Sequence, residues 1–150
     1  MKSRKLLACI VLLGSLVSCS GNNDGSRNSQ LSFGQKIKLK QYKVQGELLY
    51  AQHCGNCHQP DGSGLGKLIP PLTSIASGQD NRNKTICTIK YGVEGPLVVE
   101  GTQYDGKMPA NLQLTNLEIA EILTFVGNSW DNSIGIVRSS EVEESLANCQ

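Results

Sequence analysis

Apolar residues dominate positions 6–17, behind the basic residues Lys2, Arg4 and Lys5, and the chain then turns polar. So short an apolar run does not span a bilayer as a mature helix, and its positive start predicts an export signal. Residues 20–35 are rich in Ser, Asn and Gly and poor in apolar positions, which predicts a flexible tether. Order is expected to begin near Tyr42. From there Val44, Leu48 and Ala51 share one helical face, while Gly46 and Tyr50 lie on a neighbouring one. A glycine inside a helix costs about 1 kcal/mol relative to alanine, so Gly46 implies close approach by another helix.

The strongest helical signal comes later. Thr115-Asn116-Leu117-Glu118 matches a capping box, with Leu114 and Ile119 placed as a hydrophobic staple. Ile119, Ile122, Leu123 and Val126 then recur at helical spacing, with Phe125 adjoining, until Gly127 and Asn128-Ser129 stop the run. Between these two helices, Asp80 or Asn81 can cap a third. Ile86, Ile89 and Val93 mark its buried side, and Gly92 marks its end. Leu97-Val98-Val99 is apolar but short, and no alternating run argues for a strand. The expectation is an all-α fold of three to five helices with long loops at 61–77 and 93–111. Such loops argue against a compact domain unless something else fills the core. Aromatic residues make up only 5% of the chain, so that core is otherwise thin.

Cys54-Gly55-Asn56-Cys57-His58 supplies the missing core. Two thiols at this spacing can add across the vinyl groups of one haem, and the following imidazole can bind the iron from the same side. Zinc wants two further ligands at similar spacing, but the only other histidine is His53, one residue before Cys54, and Cys87 has no close partner. A thioredoxin-like thiol pair belongs in a strand-to-helix setting, which this neighbourhood lacks. One covalently attached haem c is the better reading, and the loops can pack around it.

The remaining cysteines follow from export. Leu16-Val17-Ser18-Cys19 resembles the lipobox of bacterial lipoproteins, which implies lipidation of Cys19 and removal of residues 1–18. That removal takes three positive charges, so the formal balance of +1 becomes 1 − 3 = −2. No basic patch is visible, and nucleic acid is not an expected partner. A lipid at Cys19 would hold the chain on a membrane without crossing it. Cys87 and Cys149 are left over, and an even remainder in an oxidising compartment favours a disulfide over two separate thiols. Closing that loop would stabilise the fold by roughly 4 kcal/mol. The expected layout is a signal at 1–18, a tether at 19–41, a domain at 42–130 and a tail at 131–150.

His58 leaves the far side of the iron unspecified. Beyond the signal the chain has one methionine, Met108, in a loop with Gly106, Lys107 and Pro109. Lone methionines commonly fill gaps in cores, but this one is presented by a constrained turn. A thioether is a soft ligand, and His/Met ligation raises the reduction potential. His53 is the rival; it sits too close to Cys54 to reach the far face and reads as a surface residue. Pro70-Pro71-Leu72 forms a stiff backbone whose Pro70 carbonyl can accept the other ring N–H of His58.

Together these segments resemble class I mono-haem bacterial cytochromes c. The likeness runs from Gly46-Glu47-Leu48-Leu49-Tyr50 through Cys54, Cys57 and His58, Asp61-Gly62-Ser63-Gly64 and Pro70-Pro71-Leu72. It continues through Tyr104-Asp105-Gly106-Lys107-Met108-Pro109 to Glu121-Ile122-Leu123-Thr124-Phe125-Val126. The resemblance implies that the first and last helices cross at Gly46 and Tyr50 against Ile122 and Phe125. It also implies Pro70 as acceptor for His58 and Met108 as distal ligand. The implied function is one-electron transfer, without catalysis, on the periplasmic side of the bacterial envelope. Redox partners would be a quinol-oxidising complex, a dehydrogenase or a haem–copper oxidase, bound transiently. A haem protein with a labile methionine, acting as gas sensor or redox-enzyme subunit, is the alternative; a redox module using the Cys54 and Cys57 thiols is another.

Overall fold

Ser32 opens the first helix with a capping box. Its hydroxyl accepts from the Gln35 amide at 3.3 Å, and the Gln35 side chain accepts from the Ser32 amide at 2.8 Å. In the computed structural model, which describes residues 31–73 and 79–149, helix α1 therefore runs Phe33–His53. Order begins well before Tyr42, and the tail end of the expected tether is helix. The signal residues, Cys19 and the rest of the tether lie outside the described residues. No helix among the described residues is long and apolar enough to cross a membrane.

Helix α2 is the short turn Gly55–His58, and α3 spans Gln79–Tyr91. Asp80 and Asn81 fall within α3 instead of capping it. Ile86 and Ile89 are buried as expected, and the helix ends at Gly92 with φ +77°. Val93 lies past that end and is only half-buried. Strand β1, Leu97–Val99, pairs antiparallel with β2, Thr102–Tyr104, through a tight turn at Glu100 and Gly101, both with positive φ. This hairpin is a small addition to a helical frame.

Helix α4, Asn116–Val126, has the predicted capping box at Thr115 and Glu118. Leu114, Ile119, Ala120, Ile122, Leu123 and Val126 are all buried. Helix α1 crosses α4 at Gly46, where an added Cβ would run into the Glu121 carbonyl and come within 2.8 Å of the Phe125 Cβ. Tyr50 continues the contact, its ring centroid 5.5 Å from Phe125 and 5.8 Å from Trp130. The face that α1 buries is thus Gly46, Leu49 and Tyr50, whereas Val44, Leu48 and Ala51 are exposed.

The expected tail contains a fifth helix, α5, Ser139–Ala147. Buried Thr124 accepts the Val137 amide at 3.0 Å, which leads the chain back over α4. Val142 is fully buried, Arg82 pairs with Glu141 at 2.8 Å, and the Ser145 hydroxyl donates to Asn83. A disulfide joins Cys149 to Cys87 in the middle of α3.

Candidate haem site

The site begins where α1 stops. The Cys54 amide still donates to the Tyr50 carbonyl at 2.8 Å, and the amides of Cys57 and His58 then donate to the Cys54 carbonyl at 3.1 and 2.9 Å. This turn puts one free cysteine, Cys54, at the N-cap of α2, and the other, Cys57, inside it with His58. Cys54 is half-buried, and burial, with the neighbouring Cys57, pushes its thiol up to about 11. Thiol exchange needs the opposite shift. Tyr50 lies below the turn, its hydroxyl donating to the Gln59 carbonyl at 2.6 Å; burial, then Cys54 and Asp61, push it up to about 12.

His58 is 8% exposed, and its Nδ1 lies 3.2 Å from the Pro70 carbonyl. Burial lowers its pKa, and the Pro70 contact pulls weakly the other way. A carbonyl can only accept, so Nδ1 carries the proton and the lone pair of the neutral ring sits on Nε2. The loop after His58 is built to deliver Pro70. The Gly64 amide donates to the His58 carbonyl at 3.0 Å, and the Leu72 amide to the Gly62 carbonyl at 2.7 Å. Gly64 has φ +70°, and a side chain there would strike the carbonyls of Ile69 and Pro70.

Met108 reaches the cleft on a separate segment. Its amide donates to the Val93 carbonyl at 3.1 Å, and the Val93 amide donates back at 2.9 Å. The Asn111 amide donates to the Lys90 carbonyl, and the Lys90 ammonium reaches the carbonyls of Leu112 and Leu114. The methionine loop is therefore fastened to the end of α3. It also meets the proline loop, through the Asp105 amide on the Lys67 carbonyl at 3.1 Å and the close backbone contact of Gly106 with Leu68.

Cys54, Cys57, His58, Pro70 and Met108 all line one cleft. Its walls are mainly apolar, with an imidazole nitrogen, a thioether and two free thiols as reactive groups. This donor set fits a haem held through two sulfurs and between two axial ligands. His53 is not a free surface residue: it is half-buried on the cleft's rim. Tyr104 and Leu97 of the hairpin also line the cleft. The sequence placed Tyr104 in the segment of Met108, but the hairpin that pairs it with Leu97 was missed because Thr102-Gln103-Tyr104 carries one apolar residue and gives no strand signal; Gly101 after Glu100 was the available hint.

A family model described as Cytochrome c matches residues 44–130. The chain is 33% identical over 95 residues to cytochrome c-552 of Thermus thermophilus, a stretch covering 61% of this chain and 72% of that protein. A second cytochrome c-552, from a particular strain of the same species, matches at 33% over 95 residues and is covered over 64% of its length. More distantly, 126 residues are 22% identical to the cytochrome c subunit of a quinone alcohol dehydrogenase from Gluconobacter oxydans. That stretch covers 83% of this chain but only 25% of that protein.

Proposed function

The chain belongs to the cytochrome c family and carries its covalently attached c-type haem, and we propose that it transfers single electrons with the iron held between His58 and Met108. Cys54 and Cys57 are the thioether attachment points in this reading. The observation that carries it is that His58, oriented by Pro70, shares one cleft with both free thiols and with Met108.

When bound, the haem supplies a ferrous–ferric couple that gains or loses one electron. The Pro70 carbonyl fixes the His58 tautomer and strengthens Nε2 as a donor. The Met108 thioether, as a soft ligand, favours the ferrous state and raises the potential. Both residues sit on segments tied by backbone hydrogen bonds to α1 and α3, so little moves when the charge changes. The largely apolar walls would limit water at the metal.

Leu65, Leu68, Val98 and Leu112 are exposed apolar residues, and the first two flank the Pro70 side of the cleft. They suit a small, transient contact with another redox protein. A dehydrogenase is one such partner, given the likeness to a dehydrogenase's cytochrome subunit; a quinol-oxidising complex and a terminal oxidase are the others. Residues 1–18 act as the signal and Cys19 as a lipid anchor on the periplasmic side of the envelope.

Carbon monoxide addition to the reduced holoprotein tests the ligand set. Wild type excludes the gas at neutral pH, whereas Met108→Ala binds it and has a lower midpoint potential. Equal binding by both proteins refutes the assignment of Met108.

A further inference from the structure

Helix α1 has two apolar faces, and the fold uses one. Gly46, Leu49 and Tyr50 are buried, with Leu39 and Tyr42 half-buried beside them. On the opposite side Phe33, Ile37, Val44, Leu48 and Ala51 fall within about 60° of one another at 100° per residue. All five are exposed, Phe33 at 80% and Leu48 at 62%. The stripe runs for about 27 Å. Scattered exposed apolar residues are ordinary on a surface, but five aligned on one helix face mark a contact.

Charge says what kind of contact. Lys36, Lys40 and Lys43 follow one flank of the stripe, and Glu47 is the sole acid in α1. The neutral overall balance hides this basic row, which the sequence reading missed. Lys43 is partly engaged, donating to the Asn128 carbonyl at 2.8 Å, while Lys36 and Lys40 remain exposed. Two of the stripe's five residues, Phe33 and Ile37, also precede residue 44, where the match to the family begins. An apolar line edged by lysines is what an interfacial helix offers to anionic headgroups. A second copy of the chain fits less well. A coiled-coil seam along Phe33, Ile37, Val44 and Ala51 takes Lys40 and Glu47 into its core positions, where charges are costly. Against lipid, those long side chains simply reach the headgroups.

We propose that this face of α1 lies on an anionic lipid surface, with the stripe among the headgroups and Lys36 and Lys40 against the phosphates. The idea rests on and deepens the reading of a lipid-anchored chain, because the segment from Cys19 to Leu31 extends at most about 40 Å. The stripe ends just before His53 on the cleft's rim, so the contact sets how the cleft faces the bilayer.

The test uses holoprotein exported behind a cleaved non-lipoprotein signal, so that it begins at Ser20 and bears no acyl chain. It should sediment with phosphatidylcholine vesicles that contain phosphatidylglycerol, and not with pure phosphatidylcholine vesicles. The K36Q/K40Q variant should partition at least about tenfold more weakly, and F33S/I37S should weaken as well, with circular dichroism and the haem spectrum unchanged. Equal binding to both vesicle types, no binding to either, or undiminished binding by both variants overturns the proposal. So does concentration-dependent self-association without vesicle binding, which would assign the stripe to a second copy. Acyl groups on Cys19 are sought separately, by mass spectrometry of protein extracted from the envelope, so either reading can fail alone.

Discussion

Gly46→Ala tests the helix crossing on which the frame depends. The new Cβ meets the Glu121 carbonyl carbon at 2.6 Å and the Phe125 Cβ at 2.8 Å, as well as the carbonyl oxygen itself. Backbone atoms cannot rotate away, so α1 and α4 must separate, and Tyr50 loses its fit against Phe125 and Trp130. Overpacking of this kind costs about 3 kcal/mol at its upper end. Alanine's better helix propensity returns about 1 kcal/mol, leaving a net loss of about 2 kcal/mol. For a domain near 100 residues that lowers Tm by about 10 °C. Gly34→Ala provides the control within the same helix, because nothing lies within 4 Å of its added Cβ; it should be neutral or slightly stabilising. Thermal unfolding of the holoproteins, followed by far-UV circular dichroism, reads both. If Gly46→Ala melts no lower than Gly34→Ala, the crossing is not sterically enforced.

Replacing Cys87 and Cys149 together by serine opens a loop of sequence separation 62 and should cost about 4 kcal/mol in the chain-entropy limit. A denaturant midpoint equal to wild type would contradict this. Thr124→Val keeps the volume but leaves the Val137 amide without its buried acceptor, for a loss of about 1–3 kcal/mol by chemical denaturation; an unchanged midpoint would mean that the amide finds another partner. Glu118 is held below the ordinary glutamate range by its bonds from the Thr115 amide and hydroxyl. Its folded pKa is depressed, so its contribution exists above the unfolded value and fades as pH falls through the folded one. The stability gap between wild type and Glu118→Gln should therefore narrow as pH falls below the ordinary glutamate range, and a gap that stays constant into strong acid would refute the ionic capping.

The legible parts of the chain were those where local chemistry and tertiary demand coincide. Thr115 and Glu118 cap α4 by contacts three residues apart, and Gly46 is a small residue where only a small residue fits. Cys54, Cys57 and His58 were picked out by spacing alone, and the structure brings them to one cleft. Periodicity showed that Val44, Leu48 and Ala51 share a face, but not which face of α1 has a partner. The start of α1 was hidden because its box, Ser32 with Gln35, sits in a polar stretch that reads as tether. Helix α5 was missed because few of its residues are apolar; Arg82, Asn83 and Cys87 of α3 hold it, and no local pattern announces them.

Helix α5 also bears on the cleft it never touches. Met108 is hydrogen-bonded to Val93, just past the end of α3, and Asn111 and Lys90 fasten the same loop to that helix. Where Met108 sits therefore depends on where α3 sits. Ile86 and Ile89 bury one side of α3 in the core, while Arg82, Asn83 and Cys87 are tied to Glu141, Ser145 and Cys149. The disulfide thus secures the helix that presents one of the two axial candidates, in a segment that begins after the family match ends at residue 130. The doubly substituted Cys87→Ser/Cys149→Ser protein separates the two supports. Carbon monoxide entering the reduced variant faster than wild type would mean that α5 helps to hold Met108 in its proposed place at the iron. An unchanged rate, with stability lost, would mean that Ile86 and Ile89 suffice to hold α3 and that the clamp protects the fold alone.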